Sequence, residues 1–312
     1  MASEKTITNL NNGFTELWTS VLTPLNPDLS IDTAKYISHV KALLENGSKG
    51  VCIFDATGEG ASFSCSERQA VLNELIKEKI PSKSILVCTT ATSIEDTRTL
   101  TLNAVSQNVY GCLMGAPFFY NKSSNQGIIN SYAYIFNSIP EKNWFMYIHN
   151  NPAINCGAIP HAVISELIRL FPTYISGIVD ASENLSITTE LVRSFLPSCM
   201  VYTQHEKDIL KVIDLNSTGA LSFVANLLPR QISKAITRKS SSHAMLANDL
   251  IDLVIGHHPK IPACKSILSL LHHNPQWLLV RPPFVSLGKE ALADISKNLK
   301  KFALDHEMKF QI

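Results

Sequence analysis

His149, in Tyr147-Ile-His-Asn-Asn-Pro152, is a candidate general base, because an unperturbed imidazole titrates near neutral pH. Its bland reading is a polar residue that fills a pocket and bonds a neighbouring carbonyl. Asp55, Glu59, Asp180, His205 and Glu206 share one feature with it: each closely follows a short apolar run. Such nitrogen and oxygen groups can move protons or hold a divalent cation that polarises a carbonyl. No two of them have a diagnostic spacing, so no metal is assigned. Thr57 and Ser222 add hydroxyls, and Gly58 permits a tight turn whose backbone N–H groups can hold a carboxylate. Lys207 and Lys122 are the lysines nearest these positions and are possible amines. Lys207, in Glu206-Lys-Asp208 at a predicted helix start, reads rather as a solvated surface lysine.

The apolar runs must position these groups. They are Leu17–Leu22, Gly50–Phe54, Ser84–Thr89, Gly111–Met114, Trp144–Ile148, Ile175–Val179, Met200–Tyr202 and Ala220–Val224. Between them lie segments with apolar residues three and four apart, such as Val163-Ile164-x2-Leu167-Ile168, which predict amphipathic helices. Near-continuous apolar strands alternating with helices predict a parallel sheet covered by helices. Eight units can close without edges, so a (β/α)8 TIM barrel over residues 1–229 is the first expectation, with a doubly wound open sheet second. Residues 230–312 read as helices only (Ile232–Thr237, Ala244–Ile255, Ile261–Leu271, Lys289–Leu304), a C-terminal extension packed on the barrel. In such a barrel the residues just past each strand form the site.

Composition narrows the partners. With 312 residues, 45% hydrophobic and 17% charged, the chain can bury a large core. A net charge of +1 gives no electrostatic reason for a nucleic-acid or membrane partner. No apolar run is long enough to span a membrane and no signal peptide is evident, so a cytoplasmic protein is expected. The seven cysteines are scattered without a CxxC pair, and Cys52, Cys88 and Cys112 lie inside apolar runs, which predicts buried thiols.

The motifs carry a resemblance. Thr23-Pro24, Ala56-Thr-Gly-Glu59 followed by Glu67-Arg68, the Pro117-Phe-Phe-Tyr120 loop, His149-Asn-Asn-Pro152, Gly219-Ala-Leu-Ser222 with Asn226, Lys265 and Arg281-Pro-Pro-Phe284 occur in order. From about Leu17 to Phe302 the chain resembles the dihydrodipicolinate synthase / N-acetylneuraminate lyase family of (β/α)8 aldolases. That resemblance implies a 2-oxo acid such as pyruvate as ligand, no cofactor, and a homo-oligomer, a dimer or tetramer. It also implies an imine-forming lysine at the end of the sixth strand, where this chain has Val179. Valine offers no nucleophile. Other departures follow: the family's relay tyrosine matches His149, the second tyrosine of its loop matches Phe119 with Tyr120 adjacent, one carboxylate-binding threonine matches Ala56, and an arginine matches Ile154.

The expected catalytic groups are therefore His149, Thr57, Tyr120 and Asp180. The expected substrate contacts are Ala56, Thr57, Gly58, Val179, Ser222 and His205. The activity implied is a carbon–carbon lyase or synthase acting by a non-standard route. The alternative is a non-catalytic relative that keeps the pocket for binding or the barrel as a scaffold.

Overall fold

The computed structural model describes residues 16–308 apart from 121–122, 156, 208–210, 212–213, 215–216 and 239–240. Lys122, Cys156 and Asp208 lie outside the described residues. Eight strands form in the places the apolar runs predict: β1 (Glu16–Ser20), β2 (Gly50–Ile53), β3 (Ile85–Cys88), β4 (Gly111–Gly115), β5 (Met146–Asn150), β6 (Ile175–Asp180), β7 (Met200–Thr203) and β8 (Gly219–Ser222). All neighbours pair in parallel, and β1 pairs with β8 through Leu17 and Ala220, so the sheet is a closed barrel and not an open one.

Helices α1 (Thr33–Glu45), α2 (Cys65–Lys77), α3 (Ile94–Ser106), α4 (Asn125–Ser138), α5 (His161–Leu170) and α6 (Leu185–Phe195) follow the first six strands. Most begin at a side chain able to accept from an orphan N–H of the first turn. Asp32, Ser93, Ser124 and Asn184 do this, and Ser64 with Glu67 forms a reciprocal capping box at the start of α2. The segment between β7 and β8 is only partly described. After β8 come α7 (Pro229–Arg238), α8 (Ser241–Ile255), α9 (Lys260–Leu271) and α10 (Lys289–Asp305).

Alternation along the strands sends one set of side chains to the barrel axis and the other to the helices. The axial set, Trp18, Cys52, Leu86, Cys88, Leu113, Tyr147, Val179, Tyr202 and Leu221, packs as a plug. Glycine makes room for its largest rings: a Cβ at Gly50 would stand 2.3 Å from the Trp18 ring, and one at Gly177 would stand 2.6 Å from Tyr147. The C-terminal helices pack directly on the barrel, where Ile232, Leu250, Cys264, Ile267 and Leu299 share one core with Leu17, Leu22 and Ala220. Among the described residues no helix is long and apolar enough to cross a membrane.

Candidate active site

Above the plug, the strand ends carry a hydrogen-bonded chain. It depends on a backbone switch at the end of β2. Phe54 has φ of 62°, unusual for a bulky side chain, and this breaks the alternation of the strand. Its ring joins the outer core against Tyr36 and Phe63, and Asp55 takes the axial side. There Ser20 Oγ donates to Asp55 Oδ2, Gln204 Nε2 donates to the same oxygen at 3.1 Å, and the Gly58 N–H reaches Oδ1 at 3.2 Å. Gln204 Oε1 in turn lies 3.0 Å from His149 Nε2.

The orientation of that chain follows from what each group can do. An ionised carboxylate only accepts, so the Gln204 amide turns its NH2 to Asp55 and its oxygen to His149. The imidazole must then carry its proton on Nε2, which leaves Nδ1 as the basic nitrogen. Both ends are buried, with Asp55 2% and His149 4% exposed. Burial pushes the Asp55 carboxyl above its usual range, against the opposing hydrogen bond from Ser20 and the charge of His149. Burial also holds the His149 imidazole below its ordinary value, against the pull of Asp55 and the Gln204 hydrogen bond. His149 is accordingly held toward its neutral form. Asn155 Nδ2 donates to its carbonyl at 2.8 Å and fixes the backbone beneath it.

Two cavities open here. One, of about 400 Å3, is bounded by Thr57, Gln204, Leu221, Lys260 and Phe284. The other, of about 220 Å3, is bounded by Asp55, His149, Arg68, Thr90 and Asn155. Ala56 and Ile154 line both and mark where they meet.

The expected site residues divide. Thr57 and Ala56 line the larger cavity, and His149 lines the smaller. Gly58 is held between Asp55 and Thr23, whose Oγ1 donates to its carbonyl at 2.7 Å; a Cβ there would meet Val21 O at 2.9 Å. Val179, 1% exposed, belongs to the apolar plug and lines neither cavity. Asp180 lines neither as well. Its carboxylate faces outward and accepts from Asn150 Nδ2 at 2.7 Å, Ser182 Oγ at 2.9 Å and Thr188 Oγ1 at 2.5 Å, tying β5 and β6 to α6.

Ser222 Oγ donates to Glu206 Oε2 at 2.9 Å, and the His205 N–H donates to Thr203 Oγ1 at 2.9 Å; neither residue lines the two cavities. Tyr120 is 71% exposed, with its ring edge-on to Phe119, and borders a separate small cleft. Lys207 is on the surface, paired with Asp252 at 2.8 Å.

The remaining carboxylates are committed elsewhere. Glu59 is buried in an ion pair with Lys265 and accepts from the Arg281 N–H at 3.1 Å. Glu206 accepts from the N–H groups of Phe223 and Val224, and burial pushes its carboxyl up to about 7. Among the described residues no three His, Cys, Asp or Glu side chains come together as metal ligands.

Sequence reasoning did not single out Ser20, Gln204, Asn155 or Lys260. Gln204 stands at the end of the seventh apolar run, but nothing in the sequence ties it to Asp55, 149 residues away.

A closed barrel of parallel strands with polar groups gathered at their carboxyl ends defines a (β/α)8 barrel protein. Residues 13–302 match the model of the Dihydrodipicolinate synthetase family, and the chain belongs to that family. Among curated proteins it is 24% identical to a 4-hydroxy-tetrahydrodipicolinate synthase of Heliobacterium modesticaldum, over 94% of this chain and 97% of that one. Its fold is similar to a crystal structure of dihydrodipicolinate synthase from Agrobacterium tumefaciens, with a TM-score of 0.86, 25% identity, and 92% and 99% of the two chains covered. A prophage protein of E. coli K12, of the dihydrodipicolinic acid synthase family and solved in complex with pyruvate, shares the fold at a TM-score of 0.81 and 19% identity, over 93% and 99% of the chains.

Proposed function

We propose that this chain is a carbon–carbon lyase or synthase for a 2-oxo acid, working by general acid–base catalysis and not through an imine. The observation that carries the reading is the Ser20–Asp55–Gln204–His149 chain. The substrate class comes from the family and from the pyruvate complex of its structural neighbour. The non-imine route comes from Val179, which has no nucleophile at the position where the resemblance places the amine.

In this reading His149 Nδ1 takes a proton from the carbon next to the 2-oxo group. Negative charge then develops on the carbonyl oxygen, toward which Thr57 can donate a hydrogen bond. As His149 becomes positive, Asp55 stabilises it through Gln204, which also holds the productive tautomer. Asp180, Ser222 and Val179 serve by fixing the strand ends that carry this chain. The resemblance further implies a homo-oligomer of two or four copies.

The apolar Ala56 and Ile154 at the meeting point of the cavities favour a second reading, a relative that binds its ligand without turning it over. The two separate by proton NMR in D2O. The enzyme reading predicts saturable loss of the C3 proton signal of a 2-oxo acid, abolished in His149→Ala; binding without any exchange would establish the second reading.

A further inference from the structure

We propose that the larger cavity takes an apolar 2-oxo monocarboxylate longer than pyruvate. The ligand lies with its acid group on Lys260 and its alkyl chain against the apolar wall. This rests on reading the site as one for 2-oxo acids.

The size is the first argument. A cavity of about 400 Å3 falls in the range that encloses drug-sized ligands, far more room than a three-carbon acid fills. The chemistry of the wall is the second. Leu22, Ile154, Leu221, Phe223, Ile261 and Phe284 make it largely apolar, so a hydrated or multiply charged substrate would lose hydration without replacement. Charge is the third. Among the described residues Lys260, the first residue of α9, is the only basic side chain lining this cavity.

Lys260 is paired with Glu183, just beyond β6, and the two side chains are 33% and 62% exposed. An ion pair so wet is weak. Glu183 lines the same cavity, so a ligand carboxylate must displace it from the ammonium, which the weakness of the pair permits.

Calorimetric titration of the full chain with 4-methyl-2-oxopentanoate and with pyruvate tests this, alongside Lys260→Met, Lys260→Arg, Ile154→Arg and His149→Ala, each first checked for an unchanged melting temperature. We expect the branched acid to bind at least about tenfold tighter than pyruvate. Lys260→Met should weaken it by about tenfold while Lys260→Arg retains it, and Ile154→Arg should shift the preference toward pyruvate. Equal or tighter binding of pyruvate, or no loss in Lys260→Met, overturns the inference. Because binding is read without turnover, His149→Ala should still bind the branched acid. If neither acid binds, the 2-oxo-acid reading of the site itself fails.

Discussion

His149 can act as a base only while its proton stays on Nε2, and Gln204 is the residue that keeps it there. Gln204→Leu keeps much of the bulk but breaks the link to Asp55. C3 exchange should fall by about tenfold to a hundredfold, as when a group that orients a catalytic side chain is lost, with ligand affinity unchanged. Loss of affinity with an unchanged limiting rate would mark Gln204 as a binding residue instead. The pH profile carries a sign. Burial lowers the imidazole, so the rate should be flat through neutrality and fall only on the acid side of the ordinary histidine value of 6.5. The Asp55 charge raises that pKa, so Asp55→Asn should move the acid limb to still lower pH; a shift to higher pH would contradict the coupling. Much of this cluster was legible as positions, because polar residues end the apolar runs. The pairing was not. Asp55 reaches the axis because Phe54 adopts a positive φ, and phenylalanine is not a residue that signals one.

Among the elements, the strands were the clearest in sequence, since runs such as Gly50–Phe54 and Ile175–Val179 nearly coincide with β2 and β6. Ends differed where packing, not hydropathy, decides. Trp144 opens an apolar run yet precedes β5, its ring packed on Phe136 and Tyr174 in the outer core. The four C-terminal helices were legible by their period, but not what fastens them. Lys265 on α9 reaches Glu59 beyond β2, 206 residues away, and both side chains are fully buried. Arg281 adds a forked pair with Glu67, 2.6 Å at its closer contact. Lys265→Met would leave the Glu59 charge buried without its cation, a loss of about 3–5 kcal/mol. Urea unfolding should show most of that stability recovered in Glu59→Gln/Lys265→Met, where no charge is stranded; a double variant as weak as the single one would mean that packing, not charge, was lost.

At the scale of the whole molecule, the barrel and the C-terminal helices share one core, so the site is held by contacts that run the length of the chain. The family pattern made the fold legible, and the same pattern marked Val179, Ala56 and Ile154 as departures. What it could not show is that Val179 packs in the apolar plug, opposite His149 in the β5–β6 pairing. The claim that chemistry here proceeds without an imine is tested most directly in one measurement. The protein is treated with borohydride in the presence of the 2-oxo acid, desalted, weighed intact and assayed for C3 exchange in D2O. The account predicts an unchanged mass and full, His149-dependent exchange; an added mass on a lysine with loss of exchange would contradict it.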